Sequence, residues 1–303
     1  MVNPKATTTS ARVRDVLVRA LGTEVDLRVD YTRRRWHAAT LAREASAEGV
    51  GLIVTLGGDG TVNEVVNGLM ETGTSADERS AIAVVPGGST NVFARAVGMP
   101  RDWAEGTGVI LEALREGRTR TIGLGRADDR YFTFCAGLGI DAEVVHRVER
   151  ARLRGRHATP WLFLRSTFSQ YFMDTDRRDP PVTLERPGEE PVSGLATVIV
   201  QNTAPWTYLV ERPVNACPDA SFDTGLDLMA LRALRVPSTT RTVTQIFARD
   251  GQPRGRRVLT LHDISSFTLT SSRPMAFQVD GDYLGEREKV QFNAAPMALR
   301  VVC

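Results

Sequence analysis

The run Gly57-Gly58-Asp59-Gly60-Thr61-Val62-Asn63-Glu64 constrains the fold more than any other part of the chain, because of what stands on either side of it. Before it, residues 50–56 form a short apolar run, β-branched toward its end, as expected of a parallel strand covered on both faces. After it, Val62, Val65, Val66, Leu69 and Met70 recur on one face of an α-helix. The glycines therefore occupy a tight strand-to-helix turn, where a missing Cβ lets backbone approach a ligand closely. The N–H groups of the helix start favour an anion, and phosphate is the commonest one found there. Asp59 does not suit a plain anion nest, because a carboxylate repels phosphate. It fits if a divalent cation or a ligand hydroxyl lies between them. The alternative is an Asx turn that closes the loop.

A second segment repeats the pattern. Residues 81–85 are another buried-strand run, followed by Pro86-Gly87-Gly88-Ser89-Thr90-Asn91 and a short apolar helix from Val92. Ser89, Thr90 or Asn91 is available to cap that helix. Two glycine-rich turns after neighbouring strands lie at the carboxyl edge of one sheet, where open α/β folds bind ligands. Gly57, Gly58, Gly60, Thr61, Gly87 and Gly88 are thus expected to supply backbone to nucleotide phosphates. Asn63 and Ser89 are expected to touch the nucleotide, and Asp59 to organise Mg²⁺, directly or through water. Asn63, Glu64 and Asn67 lie off the apolar face and are expected to point toward the site or to solvent.

Composition excludes several other classes. The only lysines are Lys5 and Lys289, neither placed in a Walker A sequence, so a P-loop NTPase is ruled out. The strand lysine and His-Arg-Asp loop of protein kinases are missing as well. A net charge of +2 gives no reason to expect a nucleic acid partner. Cys135, Cys217 and Cys303 are too few and scattered for a disulfide framework, which suits a reducing cytoplasm. His37, His146, His157 and His262 show no zinc-ligand spacing and read as structural or solvated. No stretch approaches the roughly 20 apolar residues of a membrane span, and no signal peptide is visible. Met1-Val2-Asn3-Pro4 gives almost no strand before the first loop, so the natural chain is expected to begin several apolar residues earlier.

The 303 residues suit one large or two ordinary domains. Through about residue 120 strands alternate with helices, the latter expected at 12–21, 37–47 and 103–116, which makes a doubly wound α/β domain. Beyond it the period shifts to two, with short strands expected at 131–135, 196–201, 226–231, 258–261, 267–270, 276–279 and 297–302. This half reads as a β-sandwich. The expected domains are 1–121 and 122–303, with the last strand packing back toward the first. Residues 177–191 read as a loop or exposed hairpin. Two helical segments interrupt the β region: 142–154, rich in arginine, and 159–172, crowded with aromatics. They are either a solvated basic helix followed by a core helix, or a surface for an anionic membrane and an acyl chain. Pro205-Trp206-Thr207-Tyr208 is either a further aromatic edge or an ordinary turn with packed rings.

The residues from Gly57 to Leu69, together with Pro86 to Ala94, closely resemble the catalytic domain of the diacylglycerol kinase and sphingosine kinase family, and in particular its soluble bacterial lipid kinases. The Gly-Gly-Asp-Gly element is shared with NAD kinases and phosphofructokinases. The continuation Asn63-Glu64-Val65-Val66-Asn67-Gly68 points to lipid kinases. Asn3-Pro4-Lys5 is similar to the end of the family's first strand, and Thr32 falls where the family has a Thr near the adenine. Residues 136–142 resemble its domain-junction motif, and Val279-Asp280-Gly281-Asp282 its late acidic motif.

The resemblance implies an ATP-binding α/β domain followed by a β-sandwich, with the active site in the cleft between them. It also implies ATP and Mg²⁺ as cofactors, Asn3 and Thr32 at the nucleotide, and Asp282 as the base that takes the proton of the acceptor hydroxyl. A Glu is more usual at that position, and Asp sets the carboxylate back by about one C–C bond, roughly 1.5 Å. Asp280 is expected to hold its turn through backbone hydrogen bonds. The sequence departs from the family at Val92 and Gly123, where acids are common, and at Thr224 in Asp223-Thr224-Gly225-Leu226, where a bacterial subgroup binds a structural Mg²⁺. Asp223 remains a metal-ligand candidate there. The expected activity is transfer of the γ-phosphate of ATP to a primary hydroxyl of diacylglycerol or a related lipid. The expected partner is a lipid at the membrane surface, with a cytoplasmic or peripheral inner-face location and a homodimer left open. Two rivals stand beside it: a soluble kinase of a small acceptor such as NAD, and a nucleotide-binding regulatory module without turnover.

Overall fold

The computed structural model describes residues 1–6, 10–153, 179–209, 211–232, 234–248 and 251–303. The chain divides into two compact units, Met1–Leu124 with Pro296–Cys303, and Gly125–Ala295. It leaves the first unit within one strand and returns to it within another.

In the first unit the order is α1 (Ala11–Leu21), α2 (His37–Ala47), β1 (Leu52–Gly57), α3 (Asp59–Met70), β2 (Ala81–Pro86), α4 (Val92–Ala96) and α5 (Trp103–Glu116). β1 and β2 are parallel, in register from Leu52–Ala81 to Gly57–Pro86, and nearly every residue of both is buried. That burial explains their continuous apolar sequence. On the far side of β1, Val2 makes parallel bridges to Leu56 and Tyr31 and is itself buried. Val65, Val66 and Leu69 of α3 are fully buried, as the periodicity requires. α2 and α3 pack so closely at Gly68 that a Cβ there would lie 2.1 Å from the Ala39 carbonyl oxygen. α5 starts where Asp102 accepts the amides of Ala104 and Glu105, and ends at Gly117 with φ 65°.

The first unit is completed from the far end of the chain. Val301 pairs in parallel with Ile82. Arg79, buried, donates to the Ala298 carbonyl at 2.6 Å, and Arg300 donates to the carbonyls of Ala76 and Arg79 at 3.0 and 2.8 Å.

The strands that follow are β3 (Arg120–Ala127), β4 (Arg130–Phe132) and β5 (Cys135–Leu138), then α6 (Ile140–Leu153). Next come β6 (Val182–Glu185), β7 (Val192–Leu195), β8 (Thr197–Gln201), β9 (Thr207–Leu209), β10 (Arg212–Val214) and β11 (Leu226–Leu231). α7 (Val236–Ile246), β12 (Val258–Ile264), β13 (Ser266–Val279) and β14 (Asp282–Val301) close the chain. The first half of β13 pairs with β6 and its second half with β5, which continues through β8 and β11 to β12. One core joins the two pairing sets: Phe132, Leu184, Phe267, Leu269, Val290 and Phe292 pack with Leu138, Val198, Val200, Leu226 and Leu228. The second unit is therefore strand-rich, as its period-two pattern predicts.

Several expected elements differ in the structure. The strand expected at 131–135 breaks after Phe132 and resumes at Cys135, because a carboxylate described below grips the backbone between them. The strands expected at 267–270 and 276–279 are one irregular strand, β13, and the strand expected at 297–302 is the end of the 20-residue β14. Residues 182–195 form the β6–β7 hairpin, and α7 was not foreseen. The basic helix is present as α6, whereas Arg154, Arg156, His157 and the aromatic stretch 159–172 lie outside the described residues. Trp206 packs against a core that includes Ile199, Val214 and Met229, and Thr207–Leu209 beyond it is strand β9 rather than part of a turn. Among the described residues no helix is long and apolar enough to cross a membrane.

Candidate functional site

The two glycine turns leave the carboxyl ends of β1 and β2 and rest against each other. A Cβ on Gly87 would come within 2.8 Å of the Gly57 amide nitrogen, and one on Gly88 within 2.7 Å of the Gly58 Cα. The Gly87 amide donates to the Gly57 carbonyl at 2.9 Å. The glycines therefore serve loop-on-loop packing first. That packing brings the start of α3 and the Gly88–Asn91 turn to one edge of the sheet, with Gly58, Asp59, Gly60 and Gly88 partly exposed and Ser89 exposed. Asn91 closes the second turn. Its φ is 50°, its Oδ1 accepts the Gly88 amide at 2.8 Å, and its Nδ2 donates to the Gly88 carbonyl at 2.9 Å.

The cap of α4 comes from elsewhere than the sequence suggests. Asn91 occupies the N-cap position, yet its side chain makes no cap bond. Asp59 supplies it from the other turn, with Oδ2 accepting the Val92 amide at 3.0 Å and Oδ1 the Phe93 amide at 3.1 Å. The backbone of Val92, one of the positions where the sequence departs from the family resemblance, thus faces a carboxylate.

Asn3 donates through Nδ2 to Thr61 Oγ1 at 2.9 Å, which joins the first residues of the chain to the first turn of α3. Thr32 is partly exposed and its amide donates to the Val2 carbonyl at 3.0 Å. Asn63 is a correction. It is 1% exposed, and Asn67 donates to its Oδ1 at 3.1 Å and its carbonyl at 2.8 Å, so both amides sit inside the unit rather than at the site or in solvent. Glu64 turns away as well, its Oε2 accepting the Ala38 amide at the start of α2.

In the second unit the late acidic motif is a two-residue hairpin turn. Val279 pairs with Asp282 across Asp280 and Gly281, which have φ 47° and 80°. Asp280 is 5% exposed and its carboxylate accepts four hydrogen bonds. The donors are the Thr133 amide at 2.7 Å and hydroxyl at 2.8 Å, the Phe134 amide at 3.0 Å and the Cys135 amide at 3.1 Å. This grip opens the break between β4 and β5. Asn202 reinforces it, its Nδ2 donating to the Thr133 carbonyl at 3.0 Å. Asp282, first residue of β14, has a side chain 27% exposed, and Arg130 Nη2 lies 3.9 Å from its Oδ2. Its neighbour Tyr283 stacks on His146 of α6 with ring centroids 4.0 Å apart. The sequence reading overlooked Arg130. The only local sign was its place just after an Asp128-Asp129 turn.

Asp223 is exposed, and the Thr224 hydroxyl donates to the Ser221 carbonyl at 3.1 Å. Among the described residues no three acidic, His or Cys groups gather as a metal cage would require. Nearby, Asp227 is buried and accepts both the His262 Nδ1 at 2.8 Å and the Asp263 amide at 3.1 Å. Burial raises the Asp227 pKa, and the bond to Asp227 raises that of His262.

The chain is similar to known proteins in both sequence and fold. A family profile described as the diacylglycerol kinase catalytic domain matches residues 1–127. A diacylglycerol kinase of Bacillus subtilis (strain 168) is 30% identical over 256 residues, which cover 82% of this chain and 76% of that protein. The crystal structure of a diacylglycerol kinase from Bacillus anthracis superposes with a TM-score of 0.76 at 21% identity, covering 99% of this chain and 94% of that one. An NAD kinase from Archaeoglobus fulgidus in complex with ATP shares the fold with a TM-score of 0.52 at 11% identity, over 100% and 92% of the two chains. With its paired glycine turns and its extended match to the Bacillus subtilis enzyme, the chain belongs to the diacylglycerol kinase family of lipid kinases.

Proposed function

We propose that this protein transfers the γ-phosphate of ATP to a primary hydroxyl of diacylglycerol or a related lipid. The observation that carries the reading is the pair of interlocked glycine turns, in which Gly57–Thr61 and Gly87–Ser89 bring backbone amides and an exposed hydroxyl to one sheet edge. Phosphoryl transfer needs positioning and charge neutralisation more than covalent chemistry from the protein. Asn3, Thr32 and Ser89 are assigned to the nucleotide. Magnesium, when bound with the triphosphate, would neutralise its charge. Asp59 would hold it through water, since each of its oxygens already accepts a backbone amide. Asp282 accepts the proton of the lipid hydroxyl, whose oxygen bonds to the γ-phosphorus as the bond to the bridging oxygen breaks and ADP leaves. Asn63, buried and engaged by Asn67, is assigned to holding α3 rather than to touching ATP.

Labelled γ-phosphate of ATP, offered with Mg²⁺ to neutral lipids, sphingoid bases and NAD in mixed micelles, tests the reading. Label is expected in a lipid with a primary hydroxyl. Label in NAD alone would identify a small-acceptor kinase, and nucleotide binding without label in any acceptor would identify a regulatory module.

A further inference from the structure

Four segments of the first unit run in parallel to the edge that carries the glycine turns. Tyr31 bridges Val2, Val2 bridges Leu56, and Leu56 pairs with Val85, so Thr32, Asn3, Gly57 and Pro86 follow in one row. Arg33, Arg34 and Arg35 come directly after Thr32, and all three are exposed. The run is held in place, since the Thr32 amide donates to the Val2 carbonyl at 3.0 Å and the Arg33 amide to His37 Nδ1 at 3.1 Å. Arg28, Arg43 and Arg115, exposed in the same unit, have carboxylate partners in Asp30 and Glu48, Glu71 and Glu24. Among the described residues no carboxylate pairs with Arg33 or Arg34. Nor does α2 account for them. Cations just before a helix start oppose its dipole, and Trp36 at the N-cap makes no side-chain cap bond.

We propose that Arg33 and Arg34 form a cationic rim that draws the triphosphate of the nucleotide to the glycine turns and sets its rate of association, a role that rests on the reading of this edge as the nucleotide site. Thr32 and Gly57 are two strand spacings apart, about 10 Å, so the charges stand close enough to act on an anion arriving at the turns. The Debye length is about 30 Å at 0.01 M salt and about 3 Å at 1 M. The attraction therefore spans that gap at low salt and is lost at high salt. Guanidinium groups stay charged, and two on one rim raise the local concentration of a polyanion without a fixed bonding geometry. Adenosine, which carries no phosphate, gains nothing from them. The same chemistry would suit the phosphates of an anionic bilayer, but the place of the run in the row of Thr32, Asn3 and Gly57 favours the nucleotide.

Stopped-flow association of the fluorescent nucleotide mant-ATP tests this between about 0.01 and 1 M salt, with melting curves as the folding control. The proteins compared are wild type, the Arg33→Gln/Arg34→Gln pair and the Arg33→Lys/Arg34→Lys pair. At low salt the Gln pair should associate roughly 10-fold more slowly, the low end of what a charged cleft contributes, and the difference should vanish at high salt. The Lys pair should keep the wild-type rate, because the rim needs charge and not shape. Mant-adenosine should bind all three alike. Equal mant-ATP association by wild type and the Gln pair at low salt overturns the rim, as does an equal loss for mant-adenosine, which would mark a base contact. Unchanged association with lost binding of the Gln pair to phosphatidylglycerol vesicles, against phosphatidylcholine ones, would instead mark a bilayer-docking patch. Wild-type protein that binds no mant-ATP overturns the nucleotide reading itself, and the rim with it.

Discussion

Asp59 in the first unit and Asp280 in the second do the same local job with opposite degrees of commitment. Each carboxylate accepts amides from a segment remote in sequence, Val92 and Phe93 in one case, Thr133 to Cys135 in the other. Asp280 is 5% exposed and carries four bonds, which uses its acceptor capacity in full. Asp59 is partly exposed beside the glycine turns. A saturated, buried carboxylate is a structural clamp. One that is partly exposed can clamp and still meet a ligand.

The comparison can be broken most directly at Asp59. Asp59→Asn should lower phosphoryl transfer by roughly 10²–10³-fold or more, the scale of losing a preorganised electrostatic group. It should also cost about 1 kcal/mol of stability, because the amide replaces one of two cap acceptors. Retained turnover with Mg²⁺ would make Asp59 a clamp like Asp280. The converse variant, Asp280→Asn, should cost about 3 kcal/mol in urea unfolding, since a donor amide would face backbone N–H groups in a buried site. A melt close to wild type would show that the four bonds are dispensable. Gly87→Ala should follow, at about 1–3 kcal/mol, because its Cβ meets the Gly57 backbone. It should weaken nucleotide binding in a titration more than Gly73→Ala, whose surroundings are open.

The smallest effect belongs to a third carboxylate, Asp227, which is held in part by a titrating side chain. The folded pKa of His262 lies above its unfolded value near 6.5, mainly through the bond to Asp227. Its stabilising contribution is therefore complete below pH 6.5 and fades as pH rises through the higher folded pKa. The His262→Gln variant should flatten the melting temperature over that window. An unchanged pH dependence would show that the pair contributes nothing.

Elements governed by local chemistry were legible in the sequence. α2 falls where the sequence pattern places it, α5 where its pattern and Gly117 do, and β11 where its apolar run does. What escaped was set at a distance. The break between β4 and β5 depends on Asp280, 147 positions from Thr133, and nothing near Tyr131 announces it. α7 escaped because Thr239, Thr240, Thr242, Val243 and Thr244 read as strand residues, whereas Pro237 at its start and packing through Thr239, Thr242 and Ile246 make it helical. At the site the glycines and Asp59 stood out by motif. The burial of Asn63 did not, because a polar residue on a helix reads as exposed until its partner Asn67 is seen against it.

The return of residues 296–303 to the first unit has a consequence for biosynthesis. The strand that flanks β2 is made late, Val301 lying 219 positions after Ile82, the residue it pairs with. While the second unit is being synthesised, the emerged first unit carries β2 as an open edge, with Arg79 lacking the Ala298 carbonyl it later holds. An open parallel edge is a template for pairing with other chains. Ribosome-bound intermediates that stop short of residue 296 are thus the form of this protein most exposed to aggregation, and the form for which a chaperone has an edge to cover.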